Sequence, residues 1–210
     1  MSRTRVLLAD DHAVVAEGLE ALLASSFELV GVVHDGRSLV EAANRLRPDV
    51  IVTDISMPLL NGIEAIRQIR ERRSGARIVV LTMHRETELA VEAFRAGAAG
   101  FVLKVSPGEE LIAAIREVAQ GGAYVTPLLT KDLISLLVEV REQSSPPLTS
   151  RQREVLQLIA EGRTMKEVAA ILSISPRTAE SHKYEIMRIL KVDTTAGLVQ
   201  YAIKAKVVGE

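Results

Sequence analysis

The chain has no cysteine and no tryptophan, and aromatic residues make up only 3% of its 210 positions. Without cysteine, disulfides, thiolate metal ligands and thiol nucleophiles are excluded, a usage that suits a reducing compartment. Long apolar runs are missing too: none approaches the roughly 20 residues of a membrane span. Met1 to Arg5 lead straight into a short strand-like run, without the apolar region and cleavage site of a secretory signal. The expectation is a soluble cytoplasmic protein with no membrane partner. The four histidines, His12, His34, His84 and His182, show no transition-metal spacing.

A net charge of −1 hides an asymmetry. Residues 1–120 hold 14 Lys/Arg against 17 Asp/Glu, whereas residues 148–210 hold 10 against 7. A mildly basic C-terminal third hints at a polyanion partner, and ordinary scatter accounts for it equally well.

Five strand-like runs recur through the first half: Val6 to Ala9, Leu29 to Val33, Val50 to Thr53, Ile78 to Thr82 and Gly100 to Leu103. Between and after them lie stretches with apolar residues three and four apart: Ala13 to Ser25, Ser38 to Leu46, Ile63 to Arg72, Thr87 to Ala96 and Glu109 to Ala119. Strands alternating with helices predict a doubly wound α/β domain over 1–120, a parallel sheet covered on both faces. Gly121-Gly122 closes it. Residues 121–147 read as a linker, with Leu128 to Val140 helical and Arg141 to Pro147 polar and proline-ended. From Leu148 the pattern is all-helical: Thr149-x-x-Gln152 and Thr164-x-x-Glu167 match capping boxes, Ser175-Pro176 places a cap before a first-turn proline, and Asp193 or Thr194 opens a last helix. Four short helices form a second, small all-α domain over 148–210.

The chemistry gathers at the strand ends. Asp10 and Asp11 follow the first strand, Asp54 the third, Thr82 the fourth and Lys104 the fifth. Parallel sheets bind ligands outside the carboxyl ends of their strands where the strand order reverses. With order 2-1-3-4-5 the three carboxylates converge, and a hard cation such as Mg²⁺ relieves their repulsion. A threonine hydroxyl and a lysine ammonium beside them suit a phosphoryl group. Each residue alone has a plainer reading, the aspartates as turn or helix caps and the lysine as a solvated end. All five in register with the strand rhythm point to a site.

These residues carry a resemblance. Asp10-Asp11, the Asp-x-x-Met-Pro-x-x-Asn-Gly run from Asp54 to Gly62, Thr82 and Gly97-Ala98-x-Gly100-Phe101-Val102-Leu103-Lys104 resemble the receiver domain of two-component response regulators. The resemblance implies a flavodoxin-like sheet and phosphorylation of Asp54 by a histidine kinase or a small phosphodonor. It further implies Mg²⁺ held by Asp11, Asp54 and the backbone carbonyl of Ser56, with Asp10 assisting through water. Lys104 would pair with the phosphoryl group and Thr82 would move toward it. Phe101 stands where the family has a Tyr or Phe rotameric switch; lacking a hydroxyl, it excludes a phenol hydrogen bond, and core packing is its plainer reading.

Residues 165–190 have a helix-turn-helix layout, whose second helix enters the major groove. On that helix Ile186, Ile189 and Leu190 form an apolar stripe, while Arg177, Ser181, Lys183, Tyr184 and Arg188 fall largely on other faces and His182 faces either way. Composition alone also fits an ordinary solvated helix. Leu148 to Gly162, Lys166-Glu167-Val168-Ala169, Thr178, His182, Leu190 and Val192 resemble the LuxR-type DNA-binding domain, and the two halves together resemble NarL/FixJ-type transcriptional regulators. What this implies is contact of Lys166, Arg177, Thr178, Ser181, His182, Lys183 and Arg188 with promoter DNA. It also implies a homodimer through Leu198, Val199 and Ala202, residues that simple core packing would explain equally well, and contact with RNA polymerase. Ala179, Tyr184-Glu185 and Ile189 depart from the family pattern, and Glu185 would repel phosphate if it faced the duplex. Three rivals stand beside this reading: an aspartate-nucleophile phosphohydrolase, which lacks a second acid at Ser56; a small-molecule-sensing LuxR-type regulator, disfavoured by the acid cluster and the lack of tryptophan; and a DNA-binding regulator active without phosphate.

Overall fold

The computed structural model describes residues 3–72, 75–130, 148–205 and 207. In chain order the first half runs β1 (Arg5–Ala9), α1 (Ala13–Ala24), β2 (Glu28–Val33), α2 (Gly36–Leu46), β3 (Val50–Thr53), α3 (Gly62–Glu71), β4 (Arg77–Thr82), α4 (Thr87–Ala96), β5 (Gly100–Leu103), α5 (Gly108–Ala119) and β6 (Tyr124–Val125). The second holds α6 (Ser150–Ala160), α7 (Met165–Ile171), α8 (Pro176–Leu190) and α9 (Thr195–Lys204).

The sheet is parallel throughout, in the order β2-β1-β3-β4-β5-β6. The five expected strands and their order are present, and a sixth extends the edge. Two residues are too few for a periodicity signal, so β6 is visible only through its pairing of Gly100 with Tyr124 and Phe101 with Val125. The first domain therefore continues past Gly121-Gly122: Thr126 is buried, and Leu129, on a helical turn at 127–130, joins the core. The rest of the expected helix to Val140, and the linker at 141–147, lie outside the described residues.

The strands read as unbroken apolar runs because both faces are covered. Alternate residues take opposite sides. Leu7, Ile51, Ile78, Val80 and Phe101 pack with α2, α3 and α4, while Val6, Leu8, Val52, Val79 and Val102 pack toward α1 and α5. Each fully buried Val, Leu or Ile contributes roughly 2 kcal/mol. A third core, built on Val155, Leu156, Leu158, Ile159, Val168, Ala179, Ile186, Leu198 and Ala202, holds α6 to α9 together. Both capping boxes are formed, Ser175 caps α8 ahead of Pro176, and Thr194 is the residue that opens α9.

Two close backbone approaches constrain the loop between β3 and α3. A Cβ on Gly62 would lie 1.9 Å from the Asp54 carbonyl oxygen, and one on Gly36 would lie 1.9 Å from that of Leu60. Both neighbours are backbone, which cannot turn aside. Gly62→Ala is therefore expected to cost about 3 kcal/mol of stability, read as a lower denaturation midpoint in urea. A change within a few tenths of a kcal/mol would show that the loop is free to move.

Candidate functional site

The sheet ladder runs one residue past each strand end and so places the site. Asp10 donates its N–H to the Val33 carbonyl (3.1 Å), Asp54 to Ala9 (2.9 Å) and Lys104 to Thr82 (2.8 Å). Three backbones held in this way bring side chains from β1, β3 and β5 to one point. The Lys104 ammonium sits 2.6 Å from Asp54 Oδ2 and 2.7 Å from Asp10 Oδ2, with all three side chains nearly closed off from solvent. Asp54 Oδ1 accepts from the Ile55 N–H (2.6 Å), and Asp10 Oδ1 from the His12 N–H (3.0 Å). Asp11 is more exposed and pairs with His12 Nδ1 at 2.9 Å.

Burial raises the Asp54 pKa above the ordinary carboxylate value; Lys104 opposes this and the Asp10 charge adds to it. Burial lowers that of Lys104, but attraction to Asp54 and hydrogen bonds to both carboxylates outweigh it, so the ammonium is held above its usual range. A carboxyl raised in the folded state favours folding below its unfolded pKa and loses that contribution as pH rises through the folded value. The charged form of Asp54 is thus a net cost to folding, which a cation would offset. Asp10, Asp11, His12 and Asp54 each offer a ligand atom within 4.8 Å of the others. Three carboxylates against one ammonium leave an excess of negative charge on hard oxygen donors, which fits Mg²⁺.

Thr82 is buried at the end of β4, its Oγ1 accepting from the His84 N–H at 3.2 Å. Ser56 lies on the rim, its N–H 3.4 Å from Asp54 Oδ1 and its hydroxyl 3.0 Å from His84 Nε2. Phe101 is fully buried in the core.

The loop after Asp54 also meets the second domain. Gln157 on α6, 1% exposed, accepts from the Asn61 N–H (2.7 Å) and donates to the Met57 carbonyl (3.1 Å). Glu161 accepts from the Leu59 N–H (3.2 Å). Around this clamp Arg153 pairs with Glu64 (2.6 Å) and Arg37 with Glu154 (2.9 Å). No local pattern marks Gln157 as a clamp, because the loop atoms it holds are backbone groups about a hundred residues away.

On the helix-turn-helix, Lys166, Arg177, Thr178, Ser181 and Arg188 are exposed, while His182 and Lys183 are half-buried on the flanks of α8. Leu198 and Ala202 correct an expectation: both are fully buried in their own domain's core, so neither faces outward toward a second copy. Tyr201 and Ile203 are the exposed large apolar residues of α9, and Val199 is half-buried. Among the described residues no helix is long and apolar enough to cross a membrane.

Comparison with known proteins gives the following. Residues 6–116 match the family described as response regulator receiver domain, and residues 146–202 the bacterial regulatory proteins of the luxR family. The transcriptional regulatory protein MctR of Rhizobium johnstonii is 38% identical over 99% of this chain and 97% of its own length. The oxygen regulatory protein NreC of Staphylococcus epidermidis is 38% identical over 96% and 98%. Among solved structures, the RcsB response regulator of Salmonella typhimurium matches over the full length of both chains at 28% identity and a TM-score of 0.66. An RcsB–DNA complex matches over 95% of this chain and 98% of that one, at 28% identity and 0.61.

Two outcomes follow from this geometry. Mg²⁺ at about 100 times its dissociation constant is expected to add about 2.7 kcal/mol of stability, seen as a higher thermal midpoint that fades on acidification toward the raised Asp54 pKa. Asp11→Asn should remove most of that shift, and an unchanged shift would take Asp11 out of the site. Gln157→Ala strands two buried backbone groups at about 1 kcal/mol each unless the domains part, so its radius of gyration in X-ray scattering should increase.

Proposed function

The chain belongs to the two-component response regulators of the NarL/FixJ type, a receiver domain joined to a LuxR-type DNA-binding domain, and from that membership we propose that phosphorylation of Asp54 controls its binding to promoter DNA. The observation that carries this reading is the Lys104 ammonium held between Asp54 and Asp10 at the strand ends. It sets a carboxylate nucleophile beside a fixed cation and a set of hard oxygen donors.

The phosphoryl donor is a phosphohistidine of a sensor kinase or a small acyl phosphate. An Asp54 oxygen attacks phosphorus in line; with phosphohistidine the new O–P bond forms as the P–N bond breaks and the departing imidazole takes a proton from solvent, and with an acyl phosphate the P–O bond breaks and a carboxylate leaves. Lys104, freed from Asp54 Oδ2, follows the charge onto the phosphoryl oxygens. Thr82, which accepts from the His84 N–H, donates its hydroxyl proton to a phosphoryl oxygen, and Phe101 repacks beneath it. Asp11, Asp54 and the Ser56 carbonyl are the groups to hold Mg²⁺, with Asp10 assisting through water; when bound, the ion neutralises charge on the phosphoryl oxygens. Water attack at the same site returns Asp54, so the chain transfers and hydrolyses its own phosphoryl group and turns over no other substrate.

Charge added at Asp54 alters the loop that Gln157 and Glu161 hold, and this shifts the balance between docked and released domains. Released, two copies pair on adjacent half-sites. Val199, Tyr201 and Ile203 of α9 offer the apolar surface for pairing in place of buried Leu198 and Ala202. Cytoplasmic location and contact with RNA polymerase belong to the same reading. One observation favours a second reading, DNA binding without phosphate: Arg177, Ser181 and Arg188 are already exposed in the docked arrangement.

Acetyl phosphate with Mg²⁺ is expected to add one phosphoryl group to the wild type and none to Asp54→Asn, by mass spectrometry. Promoter affinity should rise about tenfold on modification, within the usual range of coupling between sites. Equal affinity for modified and unmodified protein would establish the phosphate-independent reading instead.

A further inference from the structure

Tyr184 is 64% exposed on α8, the second helix of the helix-turn-helix, although it is among the largest apolar surfaces of its domain. At 3.6 residues per turn, Arg177, Ser181, Tyr184 and Arg188 fall within about 60° of one another on α8. Ala179 and Ile186, the fully buried residues of this helix, lie on the opposite side. The four residues are therefore a single outward stripe, and all four are exposed. Its ends are arginines, separated by about 16 Å along the axis, suited to phosphates on the two walls of the major groove. Its middle is Ser181 and Tyr184, with the exposed carboxylates of Glu180 and Glu185 beside them. Two carboxylates would be repelled by phosphates, so the middle of the helix is suited to base edges and not to the backbone.

Resting on the DNA-binding reading above, we propose that Tyr184 is the specificity-determining residue of this helix and that it reads the methyl group of a thymine. The chemistry is restrictive. Tyr184 supplies the one apolar surface on the stripe, and the major groove offers one apolar group, the thymine C5-methyl. The ring's orientation is supported from within the helix: the Lys183 ammonium lies 5.8 Å from its centroid, within reach of a cation–π interaction. Lys183, half-buried on the flank, thus acts as a positioning residue for the ring.

The test uses the full chain, treated with beryllofluoride and Mg²⁺, and a library of randomised duplexes. Wild type is expected to enrich a motif containing a fixed thymine, and deoxyuridine at that position should weaken binding about fourfold, the worth of one buried methyl group. Tyr184→Ala should lose preference at that position alone and become indifferent to the uracil exchange, while Tyr184→Phe keeps both. The salt dependence of affinity should be unchanged in Tyr184→Ala and shallower by about one unit in Arg188→Ala. The proposal is overturned if Tyr184→Ala enriches the wild-type motif, or loses as much on uracil exchange as the wild type does. If the wild type enriches no motif at all, the DNA-binding reading itself falls, and the role of Tyr184 with it.

Discussion

Everything at the strand ends depends on one ammonium group shared by two buried carboxylates. Lys104 reaches Asp54 and Asp10 at 2.6 and 2.7 Å. Without it, two acids withdrawn from solvent at the ends of adjacent strands would repel each other. With it, the Asp54 carboxylate has a fixed cation against it that opposes the upward push of burial on its pKa. The triad stands because backbone hydrogen bonds continue the sheet into it, so three separate strands hold three charged groups at fixed spacing. The residual negative charge, with Asp11 at the rim, is what a divalent cation would neutralise.

The same strand that delivers Asp54 also starts the loop to which the DNA-binding domain is anchored. Gly62 sits against the Asp54 carbonyl and Gly36 against that of Leu60, so the loop has little room to adjust. Gln157 then satisfies the Met57 carbonyl and the Asn61 N–H with one side-chain amide. A loop with little room to adjust therefore joins the charged triad to the interdomain clamp. The clamp uses α6 and leaves the outward stripe of α8 open, so docking bears on how the two domains are arranged and not on whether the recognition helix is covered.

Much of this was legible in the residues. Strand ends at Asp10, Asp54, Thr82 and Lys104 followed from the alternation of apolar runs and helical periodicity, because a parallel sheet covered on both faces leaves that signature. Helix starts at Thr149, Thr164 and Ser175 were legible because caps are local chemistry. β6 was not, since a two-residue strand has no period. Leu198 and Ala202 were misplaced because a helix that packs on its own domain and one that pairs with another copy show the same apolar spacing.

By itself, then, the sequence determined which groups stand at the strand ends and where the helices begin, because both are set by neighbours within a few positions along the chain. Only the tertiary structure decided that Lys104 bridges two carboxylates, that Gln157 holds the loop after Asp54, and that Tyr184 points outward while Leu198 turns in. Those outcomes depend on groups brought together from 50 to 100 residues apart, and on which helix face the rest of the core covers. Spacing along the chain carries no record of either.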